Sequence, residues 1–131
     1  MADKEADDVA EREEADVAWE GDCLEVVRTF PKPIREDLGA DIRRLQLGAR
    51  PISSRPMPSI GPRVFELRQR DDKGWYRVIY LGKVRNRLHM LHSFVKKSAK
   101  TSRNDLRIAT ARLKAVNARL LEEKKNDQKR K

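Results

Sequence analysis

Residues 64–96 read VFELRQRDDKGWYRVIYLGKVRNRLHMLHSFVK, and the fold turns on how this stretch is parsed. From Val64 to Arg70 the side chains alternate, with Phe65 and Leu67 on one face and Val64, Glu66 and Arg68 on the other, the period of a half-buried strand. DDKG at 71–74 is a turn, so Trp75 to Leu81 becomes the second arm of a hairpin. After a basic turn around Gly82 to Arg87, a third strand runs from Leu88 to Lys96. The three make an antiparallel meander. One face receives helices and the other is left for a ligand or partner.

Upstream, ARPISSRPMPSIGPR at 49–63 carries four prolines, which remove backbone donors and forbid helix. It is expected as a long loop with Arg50, Arg55 and Arg63 turned to phosphate, or as a plain connector between layers. Before it, Pro33 suits a first helical turn, and Ile34, Leu38, Ile42 and Leu45 form one apolar stripe ending at Gly48. A shorter helix begins at Asp22, whose spacing to Glu25 suggests a capping box, and stops at Pro31; a short extended piece at Val17 to Glu20 precedes it. Downstream, Ser102 and Asp105 repeat that spacing ahead of Leu106, Ala109, Leu113, Val116 and Leu120, a strong amphipathic helix. The expected class is α+β: an N-terminal helical hairpin packed on a small antiparallel β-sheet, with a C-terminal amphipathic helix.

The chain of 131 residues is one domain's worth. Residues 1–16 hold eight acids and two bases, so the other 115 residues carry a net +15 against the overall +9. A body this basic attracts phosphate polymers, which makes RNA, DNA or the ribosome the leading class of partner. We expect 1–16 as a disordered acidic arm, 17–121 as the domain and 122–131 as a basic disordered tail. The longest apolar runs fit neither a membrane span nor a signal peptide, so a cytoplasmic protein without membrane contact is expected. One cysteine and two histidines make no credible metal site, there is no Gly-rich phosphate loop, and no cofactor is expected.

Taken in order and spacing, FPKPIREDLGADIRRLQLGARP, MPSIGPRVFELR, GWYRVIY and LHSFVKKSAKTSRNDLRIATAR resemble the phage-derived, HigB-like branch of the RelE/ParE toxin superfamily over roughly residues 17–118. The resemblance implies a RelE-like fold and the toxin of a type II toxin-antitoxin system, a ribosome-dependent mRNA endonuclease that inhibits translation. The partners it implies are messenger RNA, the ribosome and a cognate helix-turn-helix, HigA-like antitoxin. Tyr76-Arg77 looks equivalent to a RelE tyrosine-arginine pair, and Lys96-Lys97 to its later lysine-arginine pair. Arg68, His92, Lys96 and Lys97 follow the ELR and LH-x-F-x-KK pattern of the HigB-like branch. Val64, Glu66 and Arg103 stand where RelE has two lysines and a catalytic tyrosine. The alternatives are a non-catalytic, ParE-like inhibitor of DNA gyrase and an inactive RNA-binding protein of phage origin.

A metal-independent ribonuclease must activate the 2′-hydroxyl, stabilise the phosphorane charge and protonate the leaving 5′-oxygen. Arg68 and Arg77 suit the second task through forked contacts, with Lys96 or Lys97 adding point charge. His92 is the candidate for proton transfer, ahead of Tyr80 and His89. The candidate catalytic set is therefore Arg68, Arg77, His92, Lys96 and Lys97. RNA contacts are expected from Arg50, Arg55, Arg63, Lys83, Arg85, Arg87, Lys100 and Arg103. Each has a plainer reading beside it. Strict alternation puts His92 with Leu88, Met90 and Phe94 as a structural histidine, Arg68 has Glu66 within reach, and the lysine pair ends a strand. Arg77, charged in mid-strand among large apolar groups, demands a partner or a ligand.

Overall fold

The computed structural model describes residues 14–98 and 100–129. Its elements are β1 (Asp16–Trp19), α1 (Cys23–Arg28), α2 (Lys32–Gln46), β2 (Ser54–Pro56), β3 (Val64–Asp71), β4 (Gly74–Val84), β5 (Arg87–Lys96) and α3 (Arg103–Lys129). One five-stranded sheet has the order β1-β5-β4-β3-β2.

This corrects the expected class. The sheet is mixed, because β1 runs parallel to β5, pairing Asp16 to Trp19 with Arg87 to Met90. Four residues are too few for a period to announce a strand, and a parallel pair needs a crossover that local patterning does not show. β2 lies inside the proline-rich segment and pairs with β3; Pro56 is tolerated because β2 is an edge strand. The N-terminal hairpin is also absent as such. α1 has only six residues, and Asp22 makes no capping hydrogen bond because its carboxylate takes Arg112 of α3.

Both sheet faces are covered. Leu67, Tyr76, Val78, Tyr80, Leu88 and Met90 meet Val27, Phe30, Ile34, Leu38 and Ile42 of the α1–α2 layer. On the other face Val64, Ile79, Leu81, Leu91 and Phe94 meet Ala109, Leu113 and Val116 of α3. The second face, expected to be open, is therefore partly roofed by the C-terminal helix. Ser102 Oγ caps α3 by accepting Asp105 N–H at 3.1 Å. The helix runs on to Lys129, through residues expected to fray, with Glu123 and Asp127 paired to Arg85 and Arg87 of the β4–β5 turn. The acidic arm lies outside the described residues up to position 13, and the last two residues of the tail do likewise.

α2 ends in a Schellman pattern, with Ala49 N–H on Arg44 O and Gly48 N–H on Leu45 O, for which Gly48 takes φ +86°. Buried Asp41 then ties α2 to the loop and to β3, accepting from Arg44 (2.9 Å), Ser53 (2.6 Å) and Gln69 (2.8 Å). Arg85 and Asn86 both have positive φ, as the two-residue turn between Val84 and Arg87 requires. A β-bulge in β5 moves the pairing from Ile79↔His92 to Tyr80↔Met90. The extra residue is Leu91. It sends Leu88 and Met90 to the α1–α2 face while His92 and Phe94 face α3, so strict alternation misassigns the company His92 keeps.

Two carboxylates hold α3 to the N-terminal segment. Glu20 meets His89 Nδ1 at 3.0 Å and also pairs with Arg119, and Asp22 accepts from Arg112 Nη2 at 2.7 Å. Burial alone raises the Glu20 pKa, but hydrogen bonds from His89 and Arg119 outweigh it and leave the carboxyl below its ordinary 4.5. The Arg112 hydrogen bond lowers Asp22 below 3.8. A depressed folded pKa contributes stability above the unfolded value and loses it as pH falls through the folded one. The stability gap between wild type and a Glu20→Gln/Asp22→Asn variant is therefore expected to be full near neutrality and to narrow steadily as pH falls below the ordinary carboxyl values of 4.5 and 3.8. Urea titrations across that range check it, and a gap independent of pH contradicts it.

Candidate nucleic-acid interface

Antiparallel register sets Arg68 directly across from Arg77, and Arg70 across from Trp75, on the side of the sheet that α3 partly covers. Phe94 pairs with Arg77 and Lys96 with Trp75. Strand geometry alone thus gathers Arg68, Arg70, Trp75, Arg77, His92, Phe94 and Lys96 at one end of one face.

Like charges opposed in a ladder repel, and the resolution is internal. Glu66, 3% exposed, sits two residues before Arg68 on the same face. Its Oε2 is 3.3 Å from Arg77 Nη1 and its Oε1 is 3.4 Å from Arg68 Nε. Arg77, 1% exposed, also donates to Thr101 Oγ1 at 2.7 Å, and Thr101 donates to Glu66 at 3.2 Å. The partner that Arg77 demanded is therefore Glu66, backed by the segment leading into α3. Burial first, and then the Arg77 charge, push the Arg68 pKa down, with Glu66 opposing both. The Arg68 guanidinium lies 4.6 Å from the Trp75 ring centroid and the Arg70 guanidinium 5.2 Å from it.

Asp105 plays a similar part on β5. Its Oδ1 is 2.8 Å from His92 Nε2 and its Oδ2 is 3.8 Å from Lys96 Nζ. His92 is buried and stacks on Phe94, with ring centroids 5.2 Å apart. Lys96 keeps about a third of its side chain exposed, and Lys97 is exposed. The five candidate catalytic residues share one end of the sheet, but Arg68, Arg77, His92 and Lys96 each meet an internal carboxylate. The arrangement offers fixed positive charge more readily than a mobile proton carrier. The other proton-transfer candidates are occupied too: Tyr80 is buried with its hydroxyl 2.6 Å from Ser54 Oγ, and His89 is held by Glu20. The Cys23 thiol is fully buried and its pKa is pushed up to about 11, so it supplies no thiolate.

The expected RNA contacts do not form one surface. Arg63, Lys83, Arg85 and Arg87 lie at the opposite end of the sheet, about 20 Å along β4 at some 3.3 Å per residue from Arg77 to Lys83. There Arg63 donates to Lys83 O, and Arg85 and Arg87 pair with α3. Arg50 lies over Phe65, 5.2 Å from its centroid, on the α1–α2 side. Arg55 is exposed on the β2 edge, in register with Glu66. Lys100 and Arg103 are exposed on either side of Thr101, next to the Arg77 cluster. Reasoning from sequence missed Trp75, Arg70, Thr101 and the bridging part of Asp105. The x-R-x-R and W-x-R alternation of β3 and β4 was the signal for the first two.

The family model of phage-derived Gp49-like proteins (DUF891) matches residues 25–114, from α1 well into α3. The chain belongs to this family. Gp49-like proteins are related to RelE-type toxins, and a toxin-like role is compatible with the membership. No curated protein and no solved structure matches the chain. In this Gp49-like chain the matched span includes every member of the cation cluster. Among the described residues no group of three or more His, Cys, Asp or Glu could hold a metal, and no helix is long and apolar enough to cross a membrane.

Proposed function

We propose that this Gp49-like chain is the toxin of a type II toxin-antitoxin pair, of the HigB-like kind, and that it acts on messenger RNA at the ribosome. The observation that carries the reading is the convergence of Arg68, Arg77 and Lys96 at one end of one sheet around Trp75, with Lys97 lining the cleft beside it. Arg68 and the two lysines bind the RNA phosphates. Glu66, itself paired with Arg77, holds the Arg68 guanidinium in place. In a cleavage step the 2′-oxygen gives its proton to water and attacks phosphorus in line, the P–O5′ bond breaks to leave a 2′,3′-cyclic phosphate, and the departing 5′-oxygen takes a proton from water. Cations at non-bridging oxygens stabilise the charge that builds between these events. His92 takes part only if the Thr101–Asp105 segment shifts, since Asp105 holds its Nε2. An antitoxin neutralises the same basic end.

A second reading, a non-catalytic inhibitor of gyrase in the ParE manner, is favoured by one observation: Arg77, His92 and Lys96 all end on internal carboxylates. Primer extension on cellular messages after induction separates the two. New 5′ ends at ribosome-dependent positions support the endonuclease, while intact messages with supercoiling-defective DNA support the inhibitor.

A further inference from the structure

The cations that meet internal carboxylates are not the only ones at this end of the sheet. Arg70, Lys73 and Lys97 have no ion pair among the described residues. They line, with Trp75 and the β3–β4 turn, a cleft of about 730 Å³ that begins where the Arg68–Arg77 cluster ends. The turn is firmly built. Asp71 Oδ1 accepts the Lys73 and Gly74 amides at 2.9 and 3.1 Å. A Cβ on Gly74 would come within 2.8 Å of Lys96 O, so glycine lets the start of β4 press against the end of β5 and close the cleft floor.

Trp75 is half-buried, and the Arg70 guanidinium beside it is exposed. An indole flanked by guanidinium planes is a platform on which any nucleobase stacks, and stacking demands an unpaired base. Lys73 and Lys97 supply ammonium groups for the phosphates on either side. Asp72 also lines the cleft, where its charge disfavours phosphate at the tip of the turn and its oxygens offer acceptors to base N–H groups. We propose that this cleft is a subsite for one nucleotide of single-stranded RNA, with the base stacked on the Arg70–Trp75 platform and its phosphates held by Lys73 and Lys97. The assignment rests on the RNA reading above and adds to it a position next to the reacting phosphodiester. It also gives the molecule a means of choosing unpaired over paired RNA.

The test is fluorescence anisotropy of a labelled single-stranded RNA octamer against the purified full chain. Trp75→Ala is expected to weaken binding about tenfold, the effect of one lost base stack, and Trp75→Phe to retain most of it. A blunt duplex of the same sequence is expected to bind more weakly than the single strand to wild type, and equally to Trp75→Ala. Should Trp75→Ala prove unstable, the exposed pair Arg70→Ala/Lys73→Ala, which the cleavage site does not use, carries the same test with a similar loss. Unchanged octamer affinity in these variants, alongside a clear loss in Arg68→Ala/Lys96→Ala, overturns the subsite and leaves the RNA reading standing. Wild type binding neither octamer nor duplex also overturns the subsite, while the primer extension described above decides the ribosome-dependent reading separately.

Discussion

Glu66→Ala is expected to lower the free energy of unfolding by about 3–5 kcal/mol, as breaking a buried ion pair from one side does. Its carboxylate is the counter-ion that Arg68 and Arg77 share across the β3–β4 ladder, and removing it leaves two guanidiniums opposed, one of them wholly buried. Arg77→Met is expected to be damaging alone, because Glu66 then keeps a buried charge with Arg68 as its one described counter-ion and the Thr101 hydroxyl as a neutral donor. Combined as Glu66→Leu/Arg77→Met, the two changes are expected to restore most of the loss, since a packed apolar pair commonly replaces a buried ion pair without net cost. Urea denaturation of wild type, Glu66→Leu, Arg77→Met and the double variant checks the cycle, with Glu66→Ala measured beside it, and single losses below about 1 kcal/mol would mean that Glu66 does not hold the pair. There is a consequence for functional work. Loss of activity in Arg77→Ala is explained by damage to the fold, so the exposed lysines are the cleaner probes.

The second large effect concerns the roof over the other face. Leu91→Ala is expected to cost about 2–5 kcal/mol, the range for truncating a buried leucine. Leu91 is fully buried at the β5 bulge, against the cluster that Ala109, Leu113 and Val116 complete. Its carbonyl also accepts Arg112 Nη1 of α3 at 2.9 Å. The loss is expected to appear first as faster amide exchange along α3, while the α1–α2 face keeps its protection until global unfolding. Equal loosening of α2 and α3 would contradict the two separate clusters.

The three long strands and α2 were legible because each carries its own period over many residues, and Val64, Phe65, Glu66 and Leu67 lie on the faces their alternation assigns. What escaped was non-local. β1 is defined by a parallel partner some seventy residues away, and β2 by an edge pairing in a stretch where proline removes the usual signal. The role of α3 escaped too, since an amphipathic helix does not state which apolar face it will cover. At the site, residue types were readable but their company was not. Asp105 was legible as a cap, and it does bond Ser102, but its reach to His92 and Lys96 depends on how α3 lands on the sheet. The face of His92 relative to Leu88 and Met90 depended on one inserted residue that has no mark in the sequence.

The claim on which the functional account rests is that the accessible cations at the Trp75 end of the sheet grip messenger RNA. The direct measurement is induction of wild type and of a folded Arg68→Ala/Lys96→Ala/Lys97→Ala variant, matched for expression and melting temperature, with growth and message 5′ ends followed together. Wild type is expected to arrest growth and leave ribosome-dependent ends, and the variant to do neither. Full arrest with the same ends from the folded variant would contradict the account.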